Sequence, residues 1–102
     1  MKKRDNLKYF DMKELIKRSL EAIKKRGLID KNTTDIDFYE KMYEELIEFN
    51  EERILGNIEN MIEECIDLIT VGIMFIEIMG YDFIEEFEKV VIKNEKRAEK
   101  NK

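Results

Sequence analysis

Four acidic residues recur at a spacing of three in the middle of the chain. Glu45 and Glu48 form an ExxE pair, and Glu64 and Asp67 form an ExxD pair. Residues three apart lie on one face of a helix, so each pair presents two carboxylates together. With 24 Asp and Glu among 102 residues, any one such pair is typical of a solvated helix surface. Metal or acid–base chemistry therefore depends on whether the two pairs meet.

A turn at Gly56 would bring the two pairs together. Glu48 and Glu64 each lie eight residues from this glycine, and Glu45 and Asp67 each lie eleven residues from it. An antiparallel helical hairpin that turns at Gly56 therefore sets Glu45 level with Asp67, and Glu48 level with Glu64. Because a helix rises ~1.5 Å per residue, each pair spans about 4.5 Å along the axis. The hairpin thus predicts four carboxylates in one small volume.

Carboxylates packed this closely need neutralisation. Two unit charges 4 Å apart cost about 4 kcal/mol at an effective dielectric constant near 20. Protonation or a hard divalent cation relieves this repulsion. The chain has no histidine, and an oxygen-only ligand set favours Mg²⁺, with Mn²⁺ as a substitute. Glu48 lies nearly opposite the apolar stripe of its helix and needs a covering helix or subunit to reach the site, so Glu44 is an alternative ligand. The predicted apolar stripe of this helix consists of Tyr39, Met42, Tyr43, Leu46 and Phe49.

A basic pair near the end of the chain complements the acids. Lys93 and Arg97 are four residues apart and would share one side of a helix. Such a pair can hold phosphate oxygens. It is equally typical of a solvated basic helix end, which the helix dipole favours.

The elements that must position these residues are predicted to be helices. Proline is absent, 42% of the residues are charged and 43% are hydrophobic, which favours an all-α protein. Gly27 is expected to end the first helix, Thr34 to cap the second, and Asp82 with Glu85 to form a capping box for the fourth. We expect a single domain with a core at about 11–97 and loose ends at 1–10 and 98–102. The helices are predicted at about 11–26, 35–53 and 58–79, and from 83 onward until the sequence turns polar after Lys93.

The third predicted helix is too apolar for one small chain to cover. One side carries only apolar residues, and from Leu68 to Ile76 no residue is charged. A helix that is apolar all round is buried centrally. Two or three neighbours from the same chain do not suffice, so we predict a homodimer or a homotetramer. The apolar side consists of Ile58, Ile62, Cys65, Ile66, Ile69, Ile73 and Ile76.

Charge and cysteine usage exclude other classes of protein. Residues 35–88 contain 17 acidic and 2 basic residues, which argues against nucleic-acid binding there. The single cysteine, Cys65, lies among apolar residues and has no histidine to activate it, so it is expected to be a structural thiol. One cysteine excludes an intramolecular disulfide, which fits a cytoplasmic protein. The nine-residue uncharged run is too short to span a bilayer, so no membrane partner is expected.

Several segments together resemble the MazG-like family of all-α nucleoside triphosphate pyrophosphohydrolases, over about residues 15–100. They are KMYEELIEF (41–49), EECIDLITV (63–71), MGYD (79–82), and the pair Lys93 and Arg97. The resemblance implies an oligomeric helix bundle that binds Mg²⁺ through Glu45, Glu48, Glu64 and Asp67. It also implies phosphate contacts from Lys93 and Arg97. The chain departs from the family pattern at Ile66, where many members have a small residue, and at Val91, where some have asparagine.

The expected activity follows from that resemblance and from the carboxylates. A nucleoside triphosphate, in particular a deoxynucleotide, would be hydrolysed to the monophosphate and pyrophosphate. Glu45 or Glu48 would orient or deprotonate the attacking water. The alternative is a non-catalytic helical interaction or regulatory protein, or an inactive member of the family, in which the acids are solvated and the apolar stripes bind partners.

Overall fold

The structure, a computed structural model, describes residues 11–100 and is helical throughout that range, without a strand. This confirms the all-α prediction. Of the loose ends expected at 1–10 and 98–102, residues 1–10 and 101–102 fall outside the described residues, whereas residues 98–100 are helical. The fourth helix continues past Lys93. The helices are α1 (Met12–Lys25), α2 (Asp35–Leu55), α3 (Ile58–Ile78) and α4 (Phe83–Lys100).

The chain divides into two compact units, the first ending at Asp30 and the second beginning at Lys31. The first unit contains α1, which begins where the Asp11 carboxylate accepts a hydrogen bond from the Lys13 backbone N–H at 3.1 Å. Helix α1 is followed by Arg26 and then by Gly27, whose φ of 74° only glycine adopts easily. The predicted C′ glycine is therefore confirmed.

The second unit opens with a reciprocal cap on α2. The Thr34 hydroxyl accepts a hydrogen bond from the Asp37 backbone N–H at 3.3 Å, and the Thr34 backbone N–H donates to the Asp37 carboxylate at 2.8 Å. This capping box satisfies two donors that a helix start otherwise leaves without partners. The prediction that Thr34 caps the second helix is confirmed.

We expect Thr34→Ala to destabilise the second unit by about 1 kcal/mol, because the Asp37 N–H loses its acceptor. Thermal unfolding followed by circular dichroism measures this loss. Thr34→Ser keeps the hydroxyl and serves as the matched control, with stability close to that of the native chain. Equal losses in both variants would show that the methyl group, and not the cap, stabilises this helix start.

A two-residue turn joins α2 to α3 and reverses the chain. Gly56 ends α2 with a φ of 73°, and the Asn57 side chain caps α3 by accepting from the Asn60 N–H at 3.1 Å. The Asn60 side chain then donates to the Glu52 carboxylate at 3.2 Å, which links the two helices beside the turn. The predicted hairpin at Gly56 is therefore present, and α2 and α3 pack closely along their lengths.

The contact between α2 and α3 is aromatic and aliphatic. Phe38 and Phe75 meet edge to face, with ring centroids 5.4 Å apart. Met74 is fully buried, at 1% exposed. At Gly72 the helices lie close enough that an added Cβ would stand 3.9 Å from the Met42 methyl carbon. These contacts hold the two halves of the carboxylate motif at a fixed separation.

The start of α4 is closed by an acid from the preceding helix. The Phe83 backbone N–H donates to Glu77 Oε2 at 2.8 Å in a partly buried position. The sequence pointed to Asp82 and Glu85 for this role, whereas the acceptor comes from six residues upstream. Gly80, with a φ of 89°, provides the turn that brings Glu77 back to the helix start.

We expect Glu77→Ala to destabilise the second unit by about 1 kcal/mol through loss of this acceptor. Asp82→Ala should have the smaller effect if Glu77 is the main cap. Glu77→Gln keeps an oxygen acceptor and is the matched control. Urea unfolding ranks the three variants by their free energy of unfolding. A larger loss of stability for Asp82→Ala than for Glu77→Ala would show that Asp82 is the main cap, as the sequence predicted.

Within residues 11–100, the first half of the apolar side of α3 is exposed. Ile58, Ile62, Ile66 and Ile69 are all about half exposed or more. On α2, the predicted stripe is buried only in part, because Met42 and Phe49 turn inward while Tyr39, Tyr43 and Leu46 are exposed. Within residues 11–100, no helix combines the length and the hydropathy needed to cross a membrane.

Candidate metal centre

Three carboxylates converge where α2 and α3 face each other. Glu45 and Glu48 come from α2, and Glu64 comes from α3. Each offers one oxygen to a set whose members all lie within 4.8 Å of one another. The hairpin at Gly56 produces this meeting, because it places residues eight to eleven positions on either side of the turn opposite each other.

Two oxygens of this cluster are enclosed and unpaired. Glu45 is only 6% exposed, although it is a charged residue. Its Oε2 atom and Oε2 of Glu64 are buried and make no hydrogen bond within the described part of the chain. Buried polar atoms in proteins almost always have a partner, so two unpaired acceptors in one cluster indicate a bound proton or cation.

The electrostatics of Glu64 support this interpretation. Burial is the largest cause that raises the pKa of Glu64, followed by hydrogen bonding and charge repulsion from Glu48 and Glu45; together they bring it to about 7 from an ordinary value of 4.5. A carboxyl group whose neighbours are carboxylates keeps its proton to a higher pH, because the proton removes one negative charge and is shared in a hydrogen bond with a neighbouring carboxylate. At pH 7 Glu64 therefore holds its proton in about half of the molecules, and a cation can displace that proton.

A lysine stabilises the other side of the cluster. Lys41 Nζ lies 3.3 Å from Glu45 Oε1 and 3.6 Å from Glu44 Oε1. Partial burial lowers the pKa of Lys41, but the hydrogen bond to Glu45 and the charges of both glutamates outweigh it and leave this pKa raised. Lys41 thus engages Oε1 of Glu45 and leaves the buried Oε2 without a partner. The i, i+4 spacing of Lys41 and Glu45 was the sequence signal for this pair.

The fourth predicted ligand lies outside the cluster. Asp67 is exposed, and the set of converging oxygens does not include it. Glu44, the alternative ligand, is also exposed and pairs with Lys41. The structure therefore brings together three of the four carboxylates that the spacing predicted.

The predicted phosphate-binding pair lies on α4. Lys93 and Arg97 are exposed, and neither forms an ion pair with an acid of residues 11–100. They line an open groove of about 360 Å³ on the surface of α4. The sequence analysis did not single out the other basic residues of this groove, Lys89, Lys96 and Lys100, although their spacing of three, four or seven residues from Lys93 indicates a shared helix face. The lining consists of Lys89, Ile92, Lys93, Lys96, Arg97 and Lys100.

The cluster suits a hard divalent cation. Two oxygens bound to one Mg²⁺ at about 2.1 Å can be no more than about 4.2 Å apart. The observed limit of 4.8 Å means that the side chains need to move only by a fraction of an ångström. Oxygen ligands without nitrogen or sulfur fit Mg²⁺, Mn²⁺ or Ca²⁺. The donor set therefore fits a metal, and its chemistry limits the metal to this class.

Comparison with protein-family models, with curated proteins and with solved structures finds no match for this chain. The resemblance to the MazG-like family thus stays a prediction from the motifs.

Proposed function

We propose that this protein is a Mg²⁺-dependent nucleoside triphosphate pyrophosphohydrolase. The observation that carries the proposal is the cluster of Glu45, Glu48 and Glu64, in which Glu45 is buried, two oxygens are unpaired, and the pKa of Glu64 is raised to about 7. The ordered set of motifs that resembles the MazG-like family supplies the reaction class.

The three clustered glutamates would hold the ion. Asp67 lies one turn further along α3 from Glu64 and would join them from the exposed side. When bound, Mg²⁺ would neutralise phosphate charge and lower the pKa of a coordinated water. Replacing the Glu64 proton by the ion removes the repulsion that the three carboxylates otherwise share.

The residues of the chain have distinct roles in this proposal. Glu48 is the better of the two candidate bases, because Lys41 already engages one oxygen of Glu45. Glu48 takes a proton from the attacking water, whose oxygen bonds to phosphorus as the α–β phosphoanhydride bond breaks. Lys93 and Arg97 hold the departing pyrophosphate through charge-assisted hydrogen bonds. The products are a nucleoside monophosphate and pyrophosphate.

The test is a substrate panel. Purified protein is incubated with Mg²⁺ and each of the common NTPs and dNTPs, and released pyrophosphate is measured. We expect pyrophosphate release for at least one nucleotide, and no release when EDTA is present. Inorganic phosphate in place of pyrophosphate would indicate a different bond, and folded protein that is silent at high concentration would contradict the proposal.

The exposed apolar residues of α2 and α3 favour a second candidate, a non-catalytic helical interaction protein. In that case the acids serve solubility, and Mg²⁺ has no specific effect on the melting temperature. The two candidates separate in one titration, since a ligand that binds only the folded state raises its melting temperature.

A further inference from the structure

The second half of α4 is uncovered in this structure. Every residue from Lys89 to Lys100 is exposed, whereas partial burial within α4 is confined to its first four residues. A helical segment of about 12 residues is marginal in water by itself, because most helical stability in proteins comes from packing one face against a neighbour. The second half of α4 is therefore a surface that a bound partner would stabilise.

The charges of α4 are sorted onto different sides of the helix. At about 100° per residue, its basic residues fall within one sector of about 100°, which we call the basic stripe. Most of its acids fall within a separate sector of about 80°, formed by Glu85, Glu88, Glu95 and Glu99. The basic stripe consists of Lys89, Lys93, Lys96, Arg97 and Lys100, which all line the groove on α4.

Most of the basic stripe lacks a counter-charge. Lys89 is paired with Glu86 at 3.1 Å. Like charges three and four residues apart destabilise a helix. The helix dipole favours cations only in the last turn, so it does not account for Lys93. An anionic ligand would relieve this repulsion along the stripe. The members that form no ion pair with an acid of residues 11–100 are Lys93, Lys96, Arg97 and Lys100.

The rest of α4 disfavours an apolar partner or a lipid surface. Residues 93–100 contain no apolar side chain larger than that of Ala98. In the first half, the exposed apolar residues Phe87 and Val91 have the basic stripe on one flank and the acidic sector on the other. Helices that lie on anionic membranes are instead rich in basic residues on their polar face. The surface therefore fits a ligand that is bound by charge.

We propose that the basic stripe binds the phosphate backbone of a single-stranded nucleic acid. Its four unpaired cations extend from Lys93 to Lys100, which is about 10.5 Å along the helix axis. Successive phosphates of one stacked strand are about 3.4 Å apart, so four of them cover the same distance. Phe87, which is 54% exposed, offers a ring on which a base at one end of the bound segment can stack.

A duplex fits the basic stripe less well than a single strand. A helix that enters the major groove, which is about 12 Å wide, meets a backbone on each of its two sides. Helix α4 offers cations to one side only, because its acidic sector lies about 100° round from the stripe and would repel the second backbone. A single strand needs one line of cations, and the basic stripe provides it.

The inference goes beyond the proposed reaction and does not depend on it. Lys93 and Arg97 hold pyrophosphate in that reaction, whereas Lys96 and Lys100 have no role there. Acids elsewhere in the chain oppose the binding of a polyanion. At 0.1 M salt, however, exposed charges more than about 10 Å apart are largely screened, so the cations that touch the strand dominate.

The test is fluorescence anisotropy of a labelled single-stranded DNA oligonucleotide of mixed sequence, titrated with the full chain in EDTA. We expect saturable binding that salt weakens. Each phosphate contact of a single strand contributes a slope of about −0.7 to the logarithm of affinity against the logarithm of salt concentration. Four contacts predict an affinity that falls about 50-fold between about 50 and 200 mM salt. The absence of saturable binding at the lower salt concentration, or binding without salt dependence, would overturn the proposal.

Variants locate the binding surface. Lys96→Gln combined with Lys100→Gln leaves two unpaired cations, so the affinity should fall only about 7-fold over the same salt range and should be at least tenfold weaker at the low-salt end. The matched control is Lys24→Gln combined with Lys25→Gln, which removes the same charge from exposed positions on α1 and should bind as the native chain does. Equal weakening in both double variants would show that net charge, and not the basic stripe, determines binding.

Other ligands of the same charge are arms of the same titration. Tighter binding of a duplex of the same length, or of vesicles that contain phosphatidylserine, would overturn the assignment to a single strand. So would inorganic triphosphate that displaces the oligonucleotide at an equal concentration, because it would mark a site for small phosphates.

The Lys96 and Lys100 double variant should release pyrophosphate as fast as the native chain, and a parallel loss of release and binding would place both lysines in the substrate site instead. The anisotropy measurement needs no catalytic activity. A chain that binds the oligonucleotide but hydrolyses no nucleotide would therefore support the basic stripe and contradict the proposed reaction, and a chain with the opposite behaviour would do the reverse.

Discussion

Glu64→Gln is expected to abolish the stabilisation of this protein by Mg²⁺ and to reduce pyrophosphate release at least 100-fold. The substitution keeps the size of the side chain and removes the charge that would bind the cation. Glu64 is the sole member of the cluster that α3 contributes, so the two remaining carboxylates both come from one helix. Loss of groups that merely orient metal ligands costs about 10–100-fold in affinity or activity, so loss of a ligand itself should cost at least the upper limit of that range.

The same substitution should stabilise the metal-free protein at pH 8. There the native Glu64 is ionised beside Glu45 and Glu48, and the three charges repel. The glutamine amide is neutral and can donate a hydrogen bond to a neighbouring carboxylate, as the protonated acid does at lower pH. A variant that is more stable without Mg²⁺ and unresponsive to it would be difficult to explain by general damage to the fold.

Melting curves with and without Mg²⁺, at pH 8, measure both effects. Glu63→Gln is the matched control, because Glu63 is the adjacent acid on α3, is exposed and lies outside the cluster. It should keep the full Mg²⁺ response and the activity of the native chain. If Mg²⁺ stabilised Glu64→Gln as much as the native protein, the cation would bind elsewhere and the metal centre would be wrong.

The hairpin that builds the centre could be predicted because its signals are local. Gly56 needs a positive φ, and Thr34 needs only a neighbour three residues along the chain. Counting outward from the turn then sets Glu48 level with Glu64 and places Glu45 about one turn further from Gly56. Such reasoning gives height along the helices, and it succeeded for these three residues.

Counting from the turn gives neither the reach of a side chain nor the angle around each helix. Asp67 has the right height and stands at the same angle from Glu64 as Glu48 does from Glu45, about 60°, but its side chain is one methylene shorter than that of glutamate and it does not join the cluster. The angle decides which apolar residues are covered: Tyr39, Tyr43 and Leu46, predicted in the apolar stripe, are exposed, whereas Phe38 is the buried aromatic residue on α2. The side of a helix that is covered depends on its neighbours, which a single periodic pattern does not identify.

The caps show a similar division between local and distant signals. Thr34 and Asp37 cap α2 within one turn, and the sequence revealed the threonine. Glu77 caps α4 from the end of the previous helix. No pattern within α4 indicates this acceptor, since it depends on how the chain turns at Gly80.

The stability of the metal-free protein is expected to fall as the pH rises from about 4.5 to about 7. Folding raises the pKa of Glu64 from 4.5 to about 7, so the folded state binds its proton more tightly than the unfolded state does. Stability then decreases with pH wherever the folded state holds more protons. The contribution of Glu64 is fully present below pH 4.5, is lost between pH 4.5 and 7, and changes little above that. Melting temperatures measured across this range in EDTA record the decline.

Mg²⁺ affinity is expected to change in the opposite direction, because the ion and the proton compete for Glu64. With a pKa of about 7, the ionised fraction of Glu64 rises from about 1 in 100 at pH 5 to about 3 in 4 at pH 7.5. The dissociation constant for Mg²⁺ should therefore fall by about 50–100-fold over that range. Calorimetric titration measures this dissociation constant. Repeating the titration in buffers of different ionisation enthalpy gives the number of protons that Mg²⁺ binding releases.

Lys41 provides a second test of this competition from the α2 side of the cluster. Lys41→Met removes the cation held 3.3 Å from Glu45, which increases the negative potential that Glu64 experiences. The pH at which Mg²⁺ binding becomes strong should then move upward, whereas Lys41→Arg keeps the charge and should leave it in place. A dissociation constant that does not change between pH 5 and 7.5 in the native chain would mean that Glu64 is not a ligand, because a metal that replaces a proton must bind more tightly as that proton is lost.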